Sequence, residues 1–156
     1  MRREDFTLDV SNVGWFDSGA DPRRPTLTVT FSGSAEALTE RTTAQADAPL
    51  AADEIDVTFR LRDEVQSSDA TGVVAITNRI TGEYVLECNA EATAVIEFVR
   101  AARRYGKATD DASLYSIDLT TDDRTVTTYE KRTLLVYSEA GELLREYSLI
   151  PGGVEI

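Results

Sequence analysis

The sequence predicts an α+β fold: a mainly antiparallel sheet of about seven or eight strands with one principal helix packed on it. Three observations carry this. Apolar residues recur mostly at a period of two, one segment alone has helical periodicity between a capping residue and a glycine, and turn glycines separate neighbouring apolar runs at hairpin spacing. Barrel-like or sandwich closure of the sheet around the helix is the alternative arrangement.

The first strand is read where Phe6, Leu8 and Val10 alternate with Thr7, Asp9 and Ser11, and the second where Leu27, Val29 and Phe31 alternate with Thr28, Thr30 and Ser32. Between Gly33 and Ala52 the period is lost. Ser34 can cap two helical turns over Ala35 to Glu40, and the threonine- and alanine-rich remainder reads as a loop. Ile55, Val57, Phe59 and Leu61 then alternate with Asp56, Thr58, Arg60 and Arg62. Such half-polar alternation belongs to antiparallel sheets, because parallel strands covered on both faces read as continuous apolar runs.

Val73–Asn78 and Tyr84–Cys88 form a hairpin through Ile80-Thr81-Gly82-Glu83, with Gly82 supplying a positive φ. The helix follows, from Ala90 to Tyr105, with Asn89 as N-cap and Gly106 as its left-handed stop. Val95, Phe98, Val99, Ala102 and Tyr105 share the face that must cover the sheet. A long strand is expected from Thr125 to Tyr137, joined across Ser138-Glu139-Ala140-Gly141 to a last strand over Glu142 to Ile150.

The chain has 156 residues at 42% hydrophobic, which suits one domain spanning 1–156 that buries its core without disulfides or metal. Acidic residues number 28 against 16 basic ones, only two of the basic residues are lysine, and the net charge is −12. Such a chain repels itself in dilute buffer, whereas at about 1 M salt the Debye length falls to about 3 Å and the repulsion nearly vanishes. The composition is therefore read as adaptation to a salty cytoplasm, and the acidic clusters as solvation. Asp110-Asp111 and Asp122-Asp123 lack the spacing and central glycine of a calcium loop.

A cytoplasmic location is expected. Met1-Arg2-Arg3 is followed at once by Glu4 and Asp5 rather than by the apolar run of an export signal. The longest apolar stretches, such as Val73 to Ile76 and Leu134 to Tyr137, are four residues long, against about 20 for a membrane span.

Several chemistries are excluded. With no histidine, the Ser-His-Asp and Cys-His arrangements and the HExxH zinc helix cannot be built. The single Cys88 cannot make a cysteine-rich zinc site, and it alternates with Tyr84 and Leu86 as a small apolar strand residue would. No phosphate-cradling glycine loop is present. No catalytic residue, metal site or cofactor is assigned, and an enzyme is the lesser expectation.

Two features stand out against the solvated acidic background. Arg100, Arg103, Arg104 and Lys107 recur along the helix opposite its core stripe, with Ile96 on the same arc, and make a candidate docking face for an acidic protein partner. The plainer reading is complementation of the helix dipole. Duplex nucleic acid is disfavoured as the occupant, since four charges give a term that high salt erases.

The second is Tyr129-Glu130-Lys131-Arg132, where Glu130 and Arg132 fall in the apolar register of Val126, Thr128, Leu134 and Val136. Either the strand shifts register there, or the charges form a polar ligand-binding site with Tyr129, Lys131 and the single Trp15 on a curved sheet; an edge strand protected by inward charges is the structural alternative.

Met1 to Val10, Ala52 to Leu61, Thr71-Gly72-Val73-Val74 through Thr81-Gly82, and Ser148-Leu149-Ile150-Pro151 resemble a group of small acidic uncharacterised proteins of halophilic archaea. The resemblance runs over nearly the whole chain, implies the salty cytoplasmic setting and transfers no functional residue. The function is thus left open between a non-catalytic interaction or adaptor domain and a small-molecule binding domain with a pocket on the curved sheet. A homodimer is compatible with a terminal strand continued by Val154 and Ile156.

Overall fold

A computed structural model describes residues 2–43, 48–122 and 124–150. Eight strands are present among them: β1 (Phe6–Ser11), β2 (Thr26–Phe31), β3 (Ile55–Leu61), β4 (Thr71–Asn78), β5 (Tyr84–Glu91), β6 (Tyr115–Thr121), β7 (Thr125–Lys131) and β8 (Leu135–Tyr137). Three α-helices accompany them: α1 (Trp15–Ser18), α2 (Ala35–Arg41) and the long α3 (Ala92–Ala108). The α+β class holds, but the strands form two four-stranded sheets, ordered β1-β2-β6-β7 and β5-β4-β3-β8, rather than one.

Neither sheet is purely antiparallel. β2 pairs parallel with β6, and β3 parallel with β8. Both parallel pairs join segments far apart in sequence: β3, β4, β5 and α3 lie between β2 and β6, and β4, β5, α3, β6 and β7 lie between β3 and β8. The described strands make no closed barrel. One core takes Leu27, Val29 and Ile117 from the first sheet, Ile55, Phe59 and Ile76 from the second, and Val95, Phe98 and Val99 from α3. Phe98 meets Tyr115 edge to face at 5.3 Å between ring centroids.

Local chemistry explains most elements. Ser34 caps α2 by accepting from the Ala37 amide at 3.2 Å. The β4–β5 hairpin forms as expected, with Gly82 at φ +77°. Gly141, at φ +85°, closes a turn in which the Ser138 amide donates to the Glu142 carbonyl. Its far arm makes only isolated bridges to Leu134 and Tyr137 and is interrupted by a 3₁₀ turn at Arg145–Tyr147, so the last strand expected there is not regular.

Two expectations about α3 are corrected. β5 runs to Glu91 and passes directly into the helix, because Asn89, Ala90 and Glu91 pair with Val73, Gly72 and Thr71. That ladder overrides the local capping tendency of Asn89, and the Ala92 amide donates instead to the Ala70 carbonyl at 2.9 Å. Gly106 does not stop the helix, which continues to Ala108. It is small because a Cβ there would lie 2.6 Å from Cδ2 of Leu114. The expected buried stripe of Val95, Phe98, Val99, Ala102 and Tyr105 is observed.

The expected strand from Thr125 to Tyr137 is two strands in different sheets. The ladder between β6 and β7 shifts register near Leu119, so Tyr129 and Lys131 point inward and Glu130 outward. The chain then crosses from the first sheet to the second before Leu135, which resets the parity and brings Leu134 and Val136 inward. Parts of other expectations, including Asp123 and the dimer contact through Val154 and Ile156, lie outside the described residues.

Gly72 is a sharp test of this packing. An added Cβ would stand 2.7 Å from Cζ of Phe59, a fully buried ring. Gly72→Ala is expected to destabilise by about 1–3 kcal/mol through overpacking, read from urea unfolding midpoints at fixed KCl.

Candidate functional site

The residues singled out by sequence do not converge. On α3, Arg103 donates from Nη2 to the carbonyls of Arg145 at 3.1 Å and Ser148 at 2.6 Å. Arg104 lies over the Phe16 ring at 4.1 Å and within 4.0 Å of Asp17. Arg100 and Lys107 are exposed, and Ile96 is half-buried against the core. Two of the four helix cations are thus used in internal contacts. Arg100, Arg104 and Ile96 line a groove of about 500 Å³ with Val13, Val65 and Tyr147.

Among the candidate ligand residues, Trp15 and Tyr129 are buried, and Nε1 of Trp15 has no hydrogen-bond partner among the described residues. Lys131 is also buried; its Nζ donates to the carbonyls of Ala52 at 2.7 Å and Ile55 at 2.8 Å, and burial holds the ammonium below its ordinary pKa. Its role is to tie the end of β7 to the start of β3. Glu130 and Arg132 are exposed and do not pair with each other. Glu130 instead accepts from Nη1 of Arg24 at 2.7 Å, while Nη2 of Arg24 meets Asp111 at 2.5 Å.

Asp111 also accepts from the Tyr105 hydroxyl at 2.7 Å, so this cluster fastens the end of α3 to the first sheet. Cys88 is buried, and burial pushes its thiol up to about 11, which suits a packing residue.

Among the described residues a concavity lies on the outer face of the second sheet. It is a half-open cleft of about 720 Å³. In register across β8, β3, β4 and β5 run two rows, Tyr137-Arg60-Val73-Asn89 and Leu135-Thr58-Ala75-Glu87. Thr58, Val73 and Ala75 supply a floor of small side chains. Arg3, Arg60, Arg62, Tyr84, Tyr137 and Glu139 make the walls.

Several wall residues are placed by local devices. Arg60 donates from Nη2 to the Glu139 carbonyl at 3.2 Å, a group carried there by the Gly141 turn. Arg62 donates to the Asn89 side-chain carbonyl and, at 3.5 Å, to the Thr71 hydroxyl. Arg41 of α2 holds the Tyr84 and Val85 carbonyls, each at 3.0 Å, and so pins the rim at the start of β5. No ion pair among the described residues involves Arg3, Arg60 or Arg62; the four present join Arg24, Arg79 and Arg104 to carboxylates elsewhere.

Sequence reasoning missed this cleft. Its one legible trace is that Val73 and Ala75, on the outward side of β4, are small and apolar where a solvated face calls for polar groups.

Among the described residues no group of three or more His, Cys, Asp or Glu side chains is placed to hold a metal ion, and no helix is long and apolar enough to cross a membrane. The fold and the cleft define an α+β protein of two mixed sheets with an arginine-rimmed concave face and, among the described residues, no recognisable catalytic constellation. The chain belongs to DUF5793, a family of unknown function, which matches it over residues 1–156. No curated protein and no solved structure matches it.

The Arg24 cluster sets an acid dependence. The Arg24 guanidinium first, then the Tyr105 hydroxyl and the Ser113 amide, hold the Asp111 carboxyl well below the usual carboxylate range. A depressed folded pKa stabilises above the unfolded value of about 3.9 and loses that contribution as pH falls towards the folded value. Asp111→Asn is therefore expected to lower stability at neutral pH and to flatten its decline below about pH 4, measured as urea midpoints across pH.

Proposed function

We propose that this chain is a non-catalytic binding domain whose ligand is a small molecule seated on the outer face of the β5-β4-β3-β8 sheet. The observation that carries this reading is the cleft of about 720 Å³ with a floor of small side chains and walls of arginine and tyrosine. That volume lies within the range of about 300–1,000 Å³ that accommodates drug-sized ligands. Rigid strands supply the floor, and Arg60 and Arg62 are pre-positioned by hydrogen bonds, so little of their side-chain freedom is lost on binding. Arginine guanidinium groups and tyrosine rings are binding groups first, which favours binding over turnover.

A second reading, docking of an acidic protein partner on α3, is favoured by one observation. Phe16 is 54% exposed beside Arg104, which lines a groove together with Arg100 and Ile96. It is weaker because Arg103 and Arg104 already serve neighbouring carbonyls and the Phe16 ring.

Both readings are set in a high-salt cytoplasm. Support comes from the net charge of −12 and from how few carboxylates, among the described residues, have a cation within ion-pair distance.

Thermal shift in a metabolite extract below the size of proteins separates the two readings. Wild type and Arg100→Glu are expected to be stabilised, whereas Ala75→Trp and Val73→Trp, which fill the cleft floor from two strand positions, lose the response while keeping wild-type circular dichroism. An extract that stabilises the plugged variants as well as the wild type, or none of the proteins, counts against the cleft. A separate titration with KCl alone is expected to raise the melting temperature steeply up to about 2 M, because screening relieves acidic self-repulsion. A flat response would remove the basis for the high-salt setting.

A further inference from the structure

The way the cleft arginines are held says what they are for. A structural arginine in a protein with 28 acidic residues has carboxylates at hand, and Arg24 and Arg79 use them: Arg24 meets Asp111 and Glu130, and Arg79 meets Asp56 at 2.7 Å. Arg60 and Arg62 are held by neutral acceptors alone, a main-chain carbonyl, a side-chain amide and a hydroxyl. Their positions are fixed, and among the described residues no carboxylate stands within ion-pair distance of either; Asp63 is joined to Arg62 only through the Thr71 hydroxyl that both contact. A guanidinium carries five N–H donors, so each keeps several after these contacts.

The two acidic residues at the cleft do not cancel that charge. Glu139 offers Arg60 only its main-chain carbonyl. Glu87 stands in the row of Ala75 and Thr58 rather than in that of Arg60, and it also lines a small hollow of about 50 Å³ with Arg2, Arg3 and Arg41. The Arg60–Arg62 end is therefore the electropositive end of the site. Residues 60 and 62 lie on the same side of β3 and its continuation, roughly 7 Å apart along the chain, a spacing that lets both side chains reach one group.

Resting on the cleft as the ligand site, we propose that it takes a small organic oxyanion, a carboxylate or a phosphate monoester, with the anionic group held by Arg60 and Arg62 and a flat body lying on Thr58, Val73 and Ala75 between Tyr84 and Tyr137. Planar, charge-assisted guanidinium–oxyanion contacts are the strong hydrogen bonds available to such a site. The tyrosines give the body of the ligand two amphipathic walls, of which Tyr84 is 56% exposed and awaits cover.

Matched probes test this by isothermal titration of the whole chain: benzoate against benzamide, and phenyl phosphate against phenol. At least one anion is expected to bind about tenfold or more tightly than its neutral twin, and whichever does so identifies the carboxylate or the phosphate as the preferred source. The double variant Arg60→Gln/Arg62→Gln is expected to weaken that anion about tenfold or more and to leave the neutral twin unchanged, with circular dichroism as wild type. If removing both charges disturbs the sheet, Arg60→Lys and Arg62→Lys, which keep charge but lose the planar fork, are expected to give an intermediate loss. Neutral twins binding as tightly as the anions, or anion affinity indifferent to both arginines, would overturn the oxyanion assignment and leave the cleft itself standing. No binding by any of the four probes would overturn it too, and the extract experiment with the plugged variants would then decide the cleft separately.

Discussion

The structure depends on one crossing of the chain. After β7 completes the first sheet, three residues carry the backbone to the second sheet, where β8 pairs parallel with β3. A buried ammonium sits where the crossing begins. Lys131 turns inward from the last position of β7 and gives its protons to the carbonyls of Ala52 and Ile55, at the turn that opens β3. An uncompensated buried charge is costly, and two main-chain acceptors at hydrogen-bond distance offset part of that cost. The contact holds the start of β3 against the end of β7. It also fixes where the crossing chain must arrive.

The carboxylate excess acts on this frame selectively. Where salt shortens the Debye length to a few ångströms, only groups in contact interact, so the surface charges of the chain do little at a distance. Contacts such as Arg24 with Asp111 and Glu130 keep their strength, and these fasten α3 to the first sheet. The same screening bears on the cleft. An oxyanion would not be steered there from afar; it would be held by direct guanidinium contact, for which side chains already oriented by neutral hydrogen bonds are suited.

What was legible in the sequence was local. The period of two in β1 to β3, the capping of α2 by Ser34, the positive φ of Gly82 and the buried stripe of α3 all rest on chemistry within a few residues. What was hidden rests on partners far along the chain. Asn89 looks like a helix cap until its pairing with Val73 keeps it in a strand, and Gly106 looks like a stop until Leu114 is found against it. The parity of Glu130 and Arg132 misleads because it assumes one regular strand, where β7 shifts register against β6 and the chain then changes sheet. The division into two sheets, and their parallel pairs, cannot be read from half-polar alternation alone. The cleft was invisible for the same reason: Arg60, Val73, Asn89 and Tyr137 meet only through three ladders, one of them parallel.

That parallel ladder links the crossing to the cleft. β8 is only three residues long, yet its place beside β3 sets Tyr137 level with Arg60 and delivers the turn that follows. Within that turn Gly141 adopts a left-handed φ, and a Cβ there would come within 3.6 Å of the Arg60 guanidinium. A Cβ at that distance makes an ordinary contact with the cation, so it is the left-handed backbone that a larger residue would strain. The Glu139 carbonyl that orients Arg60 belongs to the same four-residue turn. The cleft is therefore a product of the topology: the inserted second sheet provides its floor, and the chain returning from the first sheet provides the wall that holds its central arginine.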